Sequence, residues 1–241
     1  MRQLDELSDD ELIEVYRVED RTVPHLRANF VSSLDGAVEI DGQSKALSSD
    51  SDSRVFSMIR RLADVVLVGA GTIRDEGYTP LRLSAASREW RKANDLAENP
   101  TLAVVSSRLE LSPVNPIFKS AERPIVITHE ASPPDRREAL AEVADLVVLG
   151  DSEVDLQAVV EEFAARGMPQ ILCEGGPHLL GALTAADLVD EFCLALAPLL
   201  AGPGSGRVTA GVPTTLTRQL RLATSLGASD DYLFFRYLRE S

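Results

Sequence analysis

QILCEGGPHLLGAL, residues 170–183, places a strand, a carboxylate, two glycines and a proline in one line. The apolar run Ile171–Cys173 is short and reads as a buried strand. Glu174 ends it, Gly175 and Gly176 follow, and Pro177 sits where a helix takes its first-turn proline. Such a turn presents unsatisfied N–H groups and the positive end of a helix dipole to whatever lies in the crevice, which suits a pyrophosphate. The plainer alternative is a tight strand-to-helix turn in which glycine only permits close packing. The coincidence of glycines, helix start and acid favours the binding reading.

Outward from this unit the same grammar repeats. ANFVSS, DVVLVGA, TLAVVSS, PIVITH and DLVVLG are short, rich in Val and Ile, and bounded by Pro, Gly or Asp, as buried strands are. Between them, Val55, Phe56, Met58, Ile59 and Leu62 recur at helical spacing behind a Ser/Asp cluster that supplies N-caps, predicting a helix over 49–62. Further helices are predicted near 135–144, 155–166 and 177–186. Strands alternating with helices predict a largely parallel sheet between helical layers. EFCLALAPLL and DYLFFRYL break that rhythm and predict an antiparallel pair closing one sheet edge. Residues 1–24 read as a peripheral helical extension stopped by Pro24, and residues 84–100 as an exposed insertion or mobile helix.

The 241 residues are 44% hydrophobic and 26% charged, enough for one sizeable core, so a single domain over 25–241 is expected after the extension. No run approaches the roughly 18 apolar residues of a spanning helix, and the N-terminus is acidic, so the expectation is a cytoplasmic protein. Cys173 and Cys193 lie in apolar runs and read as reduced core thiols, and no Cys/His cluster has metal-site spacing. A formal charge of −14 opposes binding to nucleic acid but not to a small phosphorylated ligand, whose phosphate needs only a few local donors.

Two further strings end strands in polar groups. ANFVSSLDGAVEIDGQSKALSS (28–49) brings Ser32, Ser33, Asp35 and Gly36 to one strand end, where they suit a polar ligand or form an ordinary hairpin turn. DVVLVGAGTIRDEGY (64–78) runs a buried strand into Gly69, Gly71 and Thr72, exposing backbone N–H groups, although GAGT is not the dinucleotide fingerprint.

The order of these motifs resembles the pyrimidine reductases of riboflavin biosynthesis: SLDG at 33–36, GTI at 71–73, EGGP at 174–177 and DLVDEFCLALAPLLAGPG at 187–204. The resemblance spans roughly residues 25–240. It implies a dihydrofolate-reductase-like α/β fold, a mixed, mostly parallel sheet flanked by helices with an antiparallel C-terminal edge. It also implies NADPH as cofactor and a homodimer formed through a sheet edge, for which FCLALAPLLAG is a candidate. The cofactor site it implies uses Val31, Ser32, Ala46, Thr72, Glu76, Ser106 and the helix start Gly176, Pro177, His178, Leu179, Leu180, Gly181 and Ala182. The substrate site it implies uses Asn29, Ser44, Arg60, Arg82 and Glu174. Glu76 stands where many relatives have Asp, and Asn29 where some have Lys.

The reaction so implied is reduction at C1′ of 5-amino-6-(5-phosphoribosylamino)uracil, with the cofactor carrying the hydride. Asp35 and Glu174 are the candidate catalytic carboxylates, for proton delivery or substrate orientation. The first 25 residues are too short for the deaminase domain that often precedes this reductase, and they lack its zinc ligands. Two alternatives stay open: a dihydrofolate or pterin reductase on the same fold, and a non-catalytic nucleotide-binding protein.

Overall fold

The computed structural model describes residues 1–120, 122–214 and 217–240. It opens on a two-residue strand, β1 (Arg2–Gln3), and a helix, α1 (Asp9–Tyr16). Ser8 starts α1 with a capping box: its hydroxyl accepts from the Glu11 N–H, and the Glu11 carboxylate accepts from the Ser8 N–H at 2.9 Å. Such a cap is worth about 1 kcal/mol. Leu4, Leu7, Leu12, Ile13 and Tyr16 are buried in the main core, and β1 pairs with Leu226 and Gly227. The segment read as peripheral is therefore an integral wall of the domain. Its narrow apolar stripe is diluted in sequence by the acidic residues on the opposite side.

Strand β2 (His25–Ser33), helix α2 (Asp50–Leu62), strand β3 (Val65–Gly69) and the short helix α3 (Ala70–Asp75) follow. Next come α4 (Ala85–Ala93), β4 (Thr101–Val105), β5 (Ile125–Thr128), α5 (Pro134–Ala141), β6 (Asp145–Val148) and α6 (Leu156–Ala165). The chain closes with β7 (Gln170–Gly175), α7 (Pro177–Ala185), β8 (Glu191–Ala197), β9 (Leu220–Gly227) and β10 (Leu233–Arg239).

The strands form one ten-stranded sheet in the order β1-β9-β10-β8-β2-β7-β3-β4-β5-β6. Residues of β3 alternate between its faces: Val66 and Val68 join the core under α1, α2 and α5, and Val65 and Leu67 join the core under α6 and α7. Each such side chain contributes roughly 1.5–3 kcal/mol by leaving water. Cys193 lies in the first core and Cys173 in the second, both buried and free.

The expected mixed, mostly parallel sheet is observed. β8 runs parallel to β2 and antiparallel to β10, as the C-terminal runs predicted. Between β10 and β1 lies β9, which the sequence reading missed because its burial is only partial. The segment read as an exposed insertion carries α4, capped by Ser84, and its Arg91 is 1% exposed. That guanidinium donates to the carbonyls of Arg61, at 2.9 Å, and Ala63, closing the C-terminal end of α2, and to the Ala97 carbonyl at 2.6 Å. A polar string thus hides a buried cation. Among the described residues no helix is long and apolar enough to cross a membrane.

From β3 the chain steps outward through β4, β5 and β6, then returns to insert β7 between β2 and β3 and crosses β2 to reach β8. The winding reverses at β7. A crevice opens outside the strand ends at such a point.

Candidate active site

The crevice is a cleft of about 1120 Å³. Asn29 and Val31 of β2, Gly69 of β3, Ser106 after β4 and Glu174 of β7 form its floor, and α2, α3 and α7 form its walls.

Two glycine turns meet here. A Cβ on Gly176 would sit 2.8 Å from Thr72 Oγ1, and one on Gly69 would sit 3.5 Å from the Gly176 nitrogen. Gly175 has φ +106°, open to glycine but not to other residues, and it lies against the Phe30 ring. Side chains of Ser8, Ser49, Ser84 and Asp155 cap α1, α2, α4 and α6, whereas α3, α5 and α7 start with no side-chain cap, and of these α3 and α7 start at the cleft. Gly176, Pro177, His178 and Leu179 line the cleft, which places the N-terminal, positive end of the α7 dipole at its wall.

Arg60, from the last turn of α2, donates Nε and Nη2 to the two oxygens of Glu174, each at 2.6 Å. Tyr78 donates its hydroxyl to Glu174 Oε2 at 2.6 Å, and the Arg60 guanidinium lies 4.1 Å from the centroid of the Phe56 ring. Burial works against the Arg60 charge, but Glu174 outweighs it and holds the guanidinium firmly protonated. Burial and the Glu174 charge push the Tyr78 phenol well above its ordinary range. The Glu174 side chain is 2% exposed. Its oxygens are occupied by these donors, which makes it an anchor for Arg60.

Of the residues singled out in sequence, Asn29, Val31, Ser44, Arg60, Thr72, Glu76, Ser106, Glu174, Gly176, Pro177, His178, Leu179 and Ala182 line this one cleft. Glu76 Oε1 accepts from the Ser44 N–H at 2.9 Å, tying the loop after β2 to the end of α3. Others lie elsewhere. Asp35 does not line the cleft; it accepts from the Ser33 hydroxyl and from the N–H groups of Ala201 at 3.1 Å and Gly202 at 2.7 Å. These donors, Ser33 foremost, hold its carboxyl down to about 2. Ser32 turns its hydroxyl to the Ser33 carbonyl. Ala46 and Arg82 are exposed outside the lining, and Leu180 is buried in the core beneath α7. Gly181 faces the loop after β8, where a Cβ would meet the Ala210 carbonyl oxygen.

Sequence reasoning missed Tyr78, Asp52, Lys45, Ser107 and Arg108, and it counted Phe56 among core residues; all six line the cleft. Asp52, Phe56 and Arg60 recur four apart, so a second stripe on α2, beside the buried one of Val55, Ile59 and Leu62, carried the missing signal.

Fold and cleft together define an α/β enzyme of the kind that holds a ligand outside the carboxyl ends of its strands. Residues 24–234 match the family described as RibD C-terminal domain, and the chain belongs to that family. The 2,5-diamino-6-ribosylamino-4(3H)-pyrimidinone 5′-phosphate reductase of Archaeoglobus fulgidus is 28% identical over 180 residues, covering 74% of this chain and 82% of the relative. The riboflavin biosynthesis protein RibD of Mycobacterium tuberculosis is 28% identical over 191 residues, 78% of this chain but 45% of that protein. A solved pyrimidine reductase-like protein from Corynebacterium diphtheriae shares the fold, with TM-score 0.87 at 24% identity, covering 98% of this chain and 100% of that one. The relatives are pyrimidine reductases, and the chain is an oxidoreductase.

Proposed function

We propose that this protein reduces a ribosylaminopyrimidine 5′-phosphate with NADPH, placing a hydride on C1′ to give the ribitylamino product. The observation that carries this reading is one cleft holding both an uncapped helix start and a half-buried Arg–carboxylate fork. The first suits a dinucleotide pyrophosphate and the second a polar, anionic substrate. The activity for which the Archaeoglobus relative is named, matched over 82% of that protein's length, supports the substrate class.

The residues present fit a nicotinamide dinucleotide. Gly176 lets the start of α7 pack closely against Thr72 at the cleft wall, and the first-turn residues His178 and Leu179 line the cleft with no side-chain cap competing for their N–H groups. Beyond β4, Ser106, Ser107 and Arg108 line the cleft, and Arg108 and Arg136 share the single acid Glu110. That excess of positive charge suits the extra phosphate of NADPH over NADH. The bound cofactor supplies the hydride.

The protein's part is placement. Glu174 and Tyr78 fix Arg60, so that its cation meets the substrate without reorganising. Glu174 serves to orient rather than to carry a proton, since Arg60 and Tyr78 occupy its oxygens. Asp35 has no part in the chemistry. The reading is tested by following NADPH consumption with the ribosylaminopyrimidine phosphate and with dihydrofolate in parallel; turnover of dihydrofolate alone contradicts it.

A homodimer is part of the same proposal. FCLALAPLLAG cannot supply the edge, because β8 is paired on both sides. Among the described residues, the outer side of β9 from Leu220 to Ser225 is unpaired and offers a strand for a second copy. Sedimentation of the full chain, with Leu222→Pro as the edge-blocking variant, tests it.

A further inference from the structure

Asp52 is the carboxyl in the cleft that nothing in the protein neutralises. Its residue is 8% exposed, it lines the cleft, and its Oδ2 accepts from the Ser48 hydroxyl at 2.5 Å. Among the described residues no Lys, Arg or His nitrogen pairs with it, and Oδ1 has no protein donor. The other cleft carboxyls differ. Glu174 is held by Arg60, Glu76 accepts from the Ser44 N–H, Glu110 faces two arginines, and Glu39, Asp75 and Glu153 are exposed to water.

A helix-capping role does not account for this. Asp52 is the third residue of α2, but in a capping box its carboxylate would accept from the N–H of the cap residue Ser49; here it turns to Ser48 instead. Burial, with the charge of Asp230 adding to it, pushes this carboxyl up against the opposing Ser48 bond, so its environment is short of donors. Tyr232, whose hydroxyl donates to the Leu47 carbonyl, is the other titratable group beside it.

Position gives the missing donors a source. Asp52, Phe56 and Arg60 stand four residues apart on the α2 face that lines the cleft, so Asp52 lies about 12 Å along the axis from Arg60. A ribosylaminopyrimidine phosphate lying along this stripe can place its phosphate-bearing end towards Arg60 and its base towards Asp52. An ionised carboxylate only accepts hydrogen bonds. A 2-amino-4-oxopyrimidine presents two neighbouring donors, the N3–H and the 2-amino group. A uracil turns its C2 oxygen to the same place and meets the carboxylate with repulsion.

We infer that Asp52 reads the C2 substituent of the pyrimidine and selects the 2-amino substrate over its deaminated, 2-oxo counterpart. This rests on the reductase reading and sharpens it. It replaces the uracil substrate expected from sequence with the 2,5-diamino compound, and so places reduction before hydrolytic deamination of the base.

The test is calorimetric titration of the full chain with 2,5,6-triaminopyrimidin-4-one and with 5,6-diaminouracil, which lack the sugar and cannot be reduced at C1′. The wild type should bind the first at least about tenfold more tightly. Asp52→Asn keeps the shape but pairs a carboxamide with the uracil edge, and it should abolish or reverse that preference. Equal binding of both probes by the wild type, or a preference that survives in D52N, overturns the assignment. If D52N does not fold, the wild-type comparison and Ser48→Ala, which should weaken the preference by loosening Asp52, decide it. Turnover of the two ribosyl phosphates is measured alongside. A binding preference without turnover of either supports the Asp52 assignment and removes the reductase reading, whereas turnover of the uracil phosphate alone does the reverse.

Discussion

Arg60 and Glu174 are 114 residues apart in sequence and meet in a two-bond fork at 2.6 Å per bond. The end of helix α2 is thereby locked to the strand end of β7 at the floor of the cleft. A lysine cannot make that fork, because its ammonium is a point donor. Arg60→Lys should lower kcat/KM for the pyrimidine phosphate by about ten- to a hundredfold, with the cofactor dissociation constant little changed. Glu174→Ala leaves the guanidinium half-buried without its partner and should cost about 3 kcal/mol in urea unfolding.

Gly176 and Gly181 are five residues apart and do different work. A methyl at Gly176 would press on Thr72 Oγ1, and both residues line the cleft assigned to the cofactor. Gly176→Ala should weaken NADPH binding about tenfold or more, measured by fluorescence titration. At Gly181 the methyl would drive into the Ala210 carbonyl instead. Gly181→Ala should cost roughly 1–3 kcal/mol of stability, read as a lowered urea midpoint.

At the opposite end of the sheet, Glu191 is fully buried among Arg27, Arg236 and His25. Burial works against its charge, but these partners outweigh it and hold its pKa far below the ordinary carboxylate value. A depressed carboxyl contributes stability above its unfolded pKa of about 4.3, and that contribution disappears as the pH falls below it. Wild-type stability should therefore decline through the acid range below about pH 4. Glu191→Gln should be less stable at neutral pH by about 3–5 kcal/mol and show a flatter acid limb. Urea titrations at a series of pH values compare the two.

Arg108 lies at the cleft rim where Glu110 and Arg136 also gather. Arg108→Ala should raise KM for NADPH several-fold and leave KM for NADH nearly unchanged, narrowing the cofactor preference. Equal changes for the two cofactors would place the extra phosphate elsewhere.

Much of this architecture is legible before folding. Apolar runs such as Val65–Val68 are buried on both faces of the sheet, and their Val and Ile content announces them. Glycine–proline punctuation at 175–177 marks the helix start as clearly in sequence as in space. What stays hidden depends on contacts between distant segments. The Arg91 guanidinium is buried because it meets the carbonyls that end α2, and a string of polar letters cannot show that. Asp35 looked chemical because it ends a strand beside Gly36, yet its donors come from Ser33 and from the loop at 201–202. Tyr78 entered the site only when β7 brought Glu174 to its hydroxyl. Half-exposed β9 carries no continuous apolar run, so periodicity passes over it.

The central claim is that hydride moves from NADPH to C1′ of a ribosylaminopyrimidine phosphate in the cleft above β7. It is tested most directly by incubating the full chain with NADPH deuterated at the transferable position of the nicotinamide C4 and with the 2,5-diamino substrate, then locating the label in the product by mass spectrometry and NMR. One deuterium at C1′ of a ribitylamino product is the predicted result. NADPH that remains unoxidised, or a product carrying its label on the pyrimidine ring, would contradict the account.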